Sequence, residues 1–138
     1  MPPLEMEIDS VRTGAKLTNQ RVLLLKQKST KRYLPIYIDS QYASILTNVL
    51  KGQHCLELMN DEVIPKLHQL LSICESASLI IDSFTEDVFH AKFIVEWHEK
   101  SFSIECPIGK ALLLCVRARA PIFAEEEVLD KAGVDTKA

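Results

Sequence analysis

Residues 88–97 of the chain are Val-Phe-His-Ala-Lys-Phe-Ile-Val-Glu-Trp, and they show the period of a β-strand. Apolar and polar side chains alternate along most of this segment, as expected for a sheet that is covered on one face only. The apolar set is Phe89, Ala91, Phe93, Val95 and Trp97, and the polar set is His90, Lys92, Glu96 and, just beyond the segment, His98. We therefore predict a strand whose apolar side faces the core.

Two further strands are predicted beside this one, at 78–84 and 102–106. The turn Thr85-Glu86-Asp87 separates the strand at 78–84 from the strand at 88–97. If Glu99-Lys100 is the loop of the second pair, Trp97 faces Phe102, Val95 faces Ile104 and Phe93 faces Cys106, so the apolar sides of both strands coincide. The run from Gly109 to Arg117 is apolar all round, which predicts a helix that is buried on most sides.

The earlier part of the chain has a similar order of elements. Apolar segments at 21–26 and 33–38 surround a polar loop and predict a hairpin, and a helix capped by Asp39 or Ser40 runs on to Lys51. Pro35 has no backbone N–H, so its strand is expected at a sheet edge or at a bulge. A hairpin followed by a helix therefore occurs twice, at 21–51 and at 88–119.

The remaining elements complete an α+β prediction. A first strand is expected at 4–12, a helix beginning near Asn60 and a short acidic helix at 125–131. Together the patterns predict two β-hairpin-plus-helix repeats that form a mixed, largely antiparallel curved sheet packed with helices. With 138 residues and 47% hydrophobic content, a single domain over residues 1–134 with a loose tail at 135–138 is expected.

The composition of the chain limits which classes of function it can have. The net charge of -3 and the pI of 5.8 give no global attraction to nucleic acid or to an anionic membrane, so any such binding needs a local patch. No apolar stretch approaches the roughly 20 residues that span a bilayer, and we expect a cytoplasmic protein without membrane association. The four cysteines lack metal-site spacing and are expected to be reduced, structural thiols.

Five segments in a fixed order resemble the bifunctional nuclease domain family, which is also described as a domain of unknown function in bacteria and plants. They are Val22-Leu23-Leu24-Leu25, Leu34-Pro35-Ile36-Tyr37-Ile38, Phe89-His90-Ala91, Ala120-Pro121-Ile122-Phe123 and Glu126-Glu127-Val128-Leu129-Asp130-Lys131-Ala132-Gly133. The resemblance spans residues 5 to 134. It implies a compact α+β fold of two β-α repeats, self-association into homo-oligomers, and DNase and RNase activity in some members.

Two polar motifs of this family are replaced in the chain. Glu57-Leu58-Met59-Asn60-Asp61-Glu62 stands where the family carries Arg-Pro-Leu-Thr-His-Asp, and Pro107-Ile108-Gly109-Lys110 stands where it carries Arg-Pro-Ser-Asp. If those motifs form the nuclease site, the chain has lost a histidine, two arginines and a carboxylate from it. If the motifs are structural, their loss leaves catalysis open.

Three carboxylates are the candidate catalytic residues: Glu105, Asp61 and Glu62. Glu105 aligns with an acidic position of the family just before the second motif. A pair of these acids could hold a divalent cation such as Mg²⁺ or Mn²⁺ through oxygen ligands, but Asp61 and Glu62 also suit the first turn of a helix. His90 and His98 would lie roughly 26 Å apart along one strand and are better explained as solvated side chains.

The densest basic cluster surrounds the first hairpin loop and is a candidate nucleic-acid contact. It contains Lys26, Lys28, Lys31 and Arg32, with Tyr33 and Tyr37 in the following strand to stack on bases. The alternative is a hairpin tip that is charged because it lies in water. Lys110 and Arg117 of the buried helix are added to the set, although Arg117 and Arg119 could instead satisfy the carbonyls at the end of that helix.

The resemblance and the replaced motifs imply two alternative functions. The first is a nuclease acting on DNA or RNA phosphodiesters, with degenerate polar motifs. The second is a catalytically inactive oligomeric binding or regulatory module on the same fold.

Overall fold

The computed structural model describes residues 3–13, 20–50 and 69–135. The strands in these ranges are β1 (Leu4–Thr13), β2 (Gln20–Gln27), β3 (Arg32–Asp39), β4 (Ser76–Thr85), β5 (Val88–Trp97), β6 (Lys100–Pro107), β7 (Ile122–Ala124) and β8 (Val134–Asp135). The helices are α1 (Ser40–Leu50), α2 (Ile108–Ala118) and α3 (Glu126–Ala132). Residues 69–73 are also helical, and the predicted helix start near Asn60 lies outside the described residues.

All eight strands belong to one mixed sheet in the order β6-β5-β4-β7-β1-β2-β3-β8. Every described pairing is antiparallel except that of β4 with β7. The sheet therefore contains two three-stranded meanders, β1-β2-β3 and β4-β5-β6, each followed by a helix. The predicted α+β fold with two repeats is confirmed, and each repeat gains one strand.

The strand β7 lies between the two meanders and joins them into one sheet. Ile122 of β7 pairs with Met6 of β1 on one side and with Leu79 of β4 on the other. Two residues farther along each of these strands the register shifts at a β-bulge, within Ile8-Asp9-Ser10 in β1 and within Ile81-Asp82-Ser83 in β4. The same three residue types therefore form the bulge at equivalent places in the two repeats.

The core lies on the inner face of the sheet, beneath the helices. Ala91, Phe93 and Val95 of β5 are buried, as their alternation predicts. The predicted buried helix is α2, in which residues 111–115 are almost completely inaccessible to solvent. Among the described residues no helix is both long and apolar enough to cross a membrane.

The predicted pairing of β5 with β6 is wrong by two residues. Trp97 pairs with Lys100, Val95 with Phe102 and Phe93 with Ile104. The loop is His98-Glu99, with φ of 53° and 64°. Two positive φ values are characteristic of the two-residue hairpin turn that matches the right-handed twist of its strands. Because the shift is an even number of residues, the apolar faces still coincide.

Pro35 lies in the part of β3 that β8 does not cover. The β8 strand pairs only with Arg32 and Tyr33, so from Pro35 onward β3 forms the edge of the described sheet. The predicted edge position of this proline is confirmed.

Two glycines are expected to respond in opposite ways to alanine. A Cβ at Gly133 would lie 2.4 Å from the carbonyl oxygen of Leu129, which also accepts a hydrogen bond from the Gly133 N–H. We expect Gly133→Ala to lower the free energy of unfolding by about 1–3 kcal/mol, since the backbone must shift.

At Gly109, in the first turn of α2, the nearest atom would be Cδ2 of Tyr42 at 3.5 Å. There alanine fits, and Gly109→Ala is expected to stabilise by about 0.4–1 kcal/mol. Urea denaturation of both variants tests the pair, and equal effects would contradict it.

The cysteines of the described residues are thiols, not disulfides, and they differ in accessibility. Cys106 and Cys115 are buried, whereas Cys74 is half-buried. Burial raises the pKa of the Cys115 thiol far above its usual range, so no thiolate forms there near neutral pH. In native protein we expect maleimide to label Cys74 and to leave Cys106 and Cys115 unmodified until denaturant is added. Peptide mass mapping measures this, and early labelling of Cys115 would show that the core opens.

Candidate active site

Strand β4 places a carboxylate beside a lysine on the outer face of the sheet, at the position of its bulge. Ile81 pairs with Ala91 and Ser83 pairs with His90, so Asp82 is the extra residue between two pairs. Its Oδ2 atom lies 3.4 Å from Nζ of Lys92. Because Ile81 is buried on the inner face, strand alternation already places Asp82 on the outer face with Lys92, and the bulge brings Ser83 opposite His90.

Glu105 approaches the same lysine from the other side. It is the direct partner of Lys92 in the β5–β6 register, and it is exposed. Side chains of directly opposed residues lie on the same face with their Cβ atoms about 4.5–5.5 Å apart. Lys92 therefore stands between two carboxylates, Asp82 on β4 and Glu105 on β6.

His90 is the next residue on this face of β5. Its Nε2 atom lies 3.1 Å from Oγ1 of Thr85, near the β4–β5 turn. The contact is a hydrogen bond whose direction depends on the tautomer of the ring. In either tautomer it holds the imidazole in one orientation. His90 is exposed, as predicted for a solvated side chain.

A cavity of about 310 Å³ is lined by three of these four side chains, and Lys92 lies beside it through its contact with Asp82. Its polar lining is Asp82, His90 and Glu105, and its apolar lining includes Phe89 and Cys106. The structure thus places one predicted acid, Glu105, with a second carboxylate and a histidine. Asp61 and Glu62, the other two predicted acids, lie outside the described residues.

The sequence predictions missed three members of this site, Asp82, His90 and Lys92, and Asp82 was not considered at all. In sequence it looks like one acid in a strand, although alternation from the buried Ile81 already places it on the outer face with Lys92. A signal was present, because Ile81-Asp82-Ser83 repeats Ile8-Asp9-Ser10 at the equivalent strand. In the first repeat the lysine that corresponds to Lys92 is Lys26, which lies 3.8 Å from Glu7.

The described residues do not form a three-ligand metal centre. Within 3–13, 20–50 and 69–135, no three histidine, cysteine, aspartate or glutamate side chains are grouped closely enough to hold an ion. Asp82 and Glu105 would therefore supply at most two carboxylates of such a site from this part of the chain.

The sequence profile of the bifunctional nuclease domain matches residues 23–137. The chain belongs to this family. Two curated relatives, the uncharacterized proteins MT1877 and Rv1829 from two strains of Mycobacterium tuberculosis, are each 28% identical over 116 residues. The aligned region is 84% of this chain and 68% of each relative. The match confirms the resemblance found in the sequence, and it includes every residue of the cavity.

In this bifunctional nuclease domain the predicted basic cluster is largely neutralised by acids. Lys28 Nζ lies 2.7 Å from Glu5 Oε2, and Lys26 lies near Glu7. The hydrogen bond to Glu5, and then its charge, raise the pKa of Lys28. These partners come from β1, which is adjacent to β2 in the sheet but distant from the hairpin loop in sequence.

Arg32 of the same cluster is also paired, with Asp130 of α3. Surface ion pairs of this kind contribute only about 0–1 kcal/mol to stability. A phosphate could therefore displace the acids, but the net charge of the β2–β3 hairpin loop is small. Lys31 is exposed and lies on the same loop. The structure thus brings the four basic residues of the predicted cluster together, but acidic side chains of β1 and α3 lie beside them.

Lys110 and Arg117 lie on α2, away from the hairpin loop in sequence. Lys110 is in the first turn of the helix and Arg117 in its last turn, and both are half-buried. At the C-terminal end, Arg119 adopts a left-handed conformation, and its backbone N–H bonds the carbonyls of Cys115 and Val116. The end of the helix is thus capped by the backbone of Arg119.

Proposed function

We propose that this bifunctional nuclease domain cleaves phosphodiesters of DNA or RNA at the cavity formed by Asp82, His90 and Glu105. One observation carries the proposal: two carboxylates and a histidine line a single cavity beside Lys92, in a chain of this family. Cleavage without covalent intermediates needs a base, an acid and a positive charge near the phosphate. These residue types supply all three.

The roles follow from position. Glu105, which is exposed and ionisable, takes a proton from the attacking water as its oxygen forms a bond to phosphorus. His90, oriented by Thr85, gives a proton to the oxygen that leaves as the phosphorus–oxygen bond breaks. Lys92 partly neutralises the charge of the phosphate oxygens, and Asp82 keeps its ammonium group at this face.

Asp61 and Glu62 remain proposed acids of the same site. A divalent cation such as Mg²⁺ or Mn²⁺ would need a third carboxylate beside Asp82 and Glu105, and these two residues are the candidates. Carboxylate oxygens are the ligands that such hard cations prefer.

The proposed substrate contacts are the six basic residues named from the sequence: Lys26, Lys28, Lys31, Arg32, Lys110 and Arg117. Because several already have acidic partners, we expect modest binding that weakens steeply with salt as counterions are released on association. A binding constant that does not change with salt would argue against phosphate contacts here.

The test is cleavage of fluorescent single- and double-stranded DNA and RNA by highly purified protein. Parallel reactions contain Mg²⁺, Mn²⁺ or EDTA. Cleavage that co-purifies with the protein and is lost in the Glu105→Gln variant supports the proposal. Absence of cleavage under every condition, or cleavage unchanged by Glu105→Gln, overturns it.

A second candidate function is a catalytically inactive oligomeric binding module. The observation that favours it is the free outer edge of β6, the terminal strand of the described sheet. Phe102 on this strand is 46% exposed, an unusual feature for an edge in water. A second copy could add its own β6 there, which would form a homo-oligomer.

Phe102→Lys tests this pairing, because a charge on the edge opposes strand addition. If the parent is an oligomer, the variant is expected to be smaller by sedimentation equilibrium. A monomeric parent would contradict the oligomer proposal and leave the nuclease proposal unaffected.

A further inference from the structure

A second and larger cavity of about 520 Å³ lies between the two repeats. One wall comes from β3, with Pro35 and Tyr37. The opposite wall comes from the β4–β5 hairpin, with Phe84 and Phe89, whose ring centroids are 4.4 Å apart. The volume lies within the roughly 300–1,000 Å³ typical of small-ligand sites.

Three aromatic side chains, Tyr37, Phe84 and Phe89, line this cavity, which is open to solvent and is called the aromatic cavity below. Tyr37 is 58% exposed and is therefore not held in the core. Burial of an aromatic ring is favourable, so an exposed tyrosine at a cavity mouth gains free energy when a flat partner covers it. A flat, apolar-faced ligand suits this surface better than a branched aliphatic one.

Two charged residues also line the cavity. Asp87 lies in the β4–β5 turn and is exposed, and Lys131 of α3 is exposed and lies 2.9 Å from Glu127. A carboxylate accepts hydrogen bonds from amino groups, and an ammonium group donates to ring nitrogens and carbonyls. A flat ligand with both kinds of group at its edge would satisfy both residues.

The two cavities are adjacent. Val88 and Phe89, at the start of β5, line both the polar cavity of Glu105 and the aromatic cavity of Tyr37. A ligand that occupied both would have its reactive group at the first, beside Lys92, and a flat ring at the second. A nucleotide unit of a nucleic acid has this arrangement.

We propose that the aromatic cavity binds one unstacked base of a single-stranded nucleic acid, next to the phosphodiester at Glu105. The reactive position of this phosphodiester rests on the proposed function. The base site itself rests on Tyr37, the Phe84–Phe89 pair and the two charged residues. A base within a duplex is stacked and paired, so the site selects single strands.

Binding is measured by fluorescence anisotropy with the Glu105→Gln protein, so that cleavage does not consume the probe. The probes are a labelled single-stranded oligonucleotide, the same oligonucleotide with abasic sugars, and its duplex. Tyr37→Ala is expected to weaken binding of the single strand by roughly 5- to 150-fold, the contribution of one stacked base. The abasic probe is expected to bind the parent protein as weakly as the single strand binds Tyr37→Ala. Its affinity is expected not to change when Tyr37 is replaced by alanine.

Two variants serve as controls. Tyr37→Phe retains the ring and is expected to bind as the parent does. Phe102→Ala removes an exposed aromatic ring of β6 that lines neither cavity, and it is expected to leave base binding intact. Circular dichroism of each variant shows whether it is folded.

The outcomes separate the two proposals. Cleavage in the parent with no effect of Tyr37→Ala or of abasic sugars overturns the base site alone. Base-dependent binding without cleavage supports the base site and overturns the nuclease proposal. A change in sedimentation mass on Tyr37→Ala, without loss of base-dependent binding, shows that a second copy covers the cavity, which also overturns the base site.

Discussion

Glu105→Gln is expected to slow phosphodiester cleavage by about 10²- to 10⁴-fold, the usual contribution of a positioned general base. The amide has the same shape as the carboxylate but cannot accept the proton of the attacking water. Glu105 is exposed and its backbone remains paired with β5, so the fold is expected to survive the change. Initial rates at saturating substrate measure the loss.

Glu96→Gln is the matched control for this experiment. Glu96 lies on the same outer face, on β5, where it is opposite Ser76 and Ser101 and outside the cavity. We expect it to cleave at the parental rate. An equal loss in both variants would mean that the general charge of this face matters and that Glu105 has no specific role.

Phe93→Ala is expected to lower the free energy of unfolding by about 3–5 kcal/mol, as other large-to-small changes in cores do. Phe93 is 0% exposed and pairs with Leu79 of β4 and Ile104 of β6. Removal of the ring leaves a void at the centre of the second meander. Guanidinium denaturation followed by circular dichroism measures the change in midpoint.

Ile94→Ala separates the effect of burial from that of strand propensity. Ile94 is the next residue of the same strand, but it lies on the outer face and is half-buried. We expect a loss well below that of Phe93→Ala. If the two losses were equal, the assignment of inner and outer faces along β5 would be wrong.

Local patterns were sufficient to predict β5, α2 and the repeated hairpin and helix. Alternation over ten residues predicted both the position and the buried face of β5. The continuous apolar run predicted that α2 is buried on most sides, because no solvated stripe is present. These features depend on neighbours in the sequence, which is why one sequence predicts them.

Features that depend on distant residues were not predicted. The pairing of β5 with β6 depended on which two residues adopt positive φ, and the composition of the turn does not decide this. Asp82 joined the candidate site through Lys92 and His90 on β5 and Glu105 on β6, and the acids beside Lys28 and Arg32 come from β1 and α3. Of the predicted site, Glu105 is now placed beside a histidine and a second acid, whereas Asp61 and Glu62 are outside the described residues.

The position of β7 has a consequence for synthesis on the ribosome. Its three residues, Ile122–Ala124, follow both meanders in the chain but lie between them in the sheet. A nascent chain therefore exposes the inner edges of β1 and β4 until this late segment has left the exit tunnel. Unpaired edges recruit strands from other chains. We expect the newly made protein to depend on chaperones for a longer part of its synthesis than a domain whose central strand is made early.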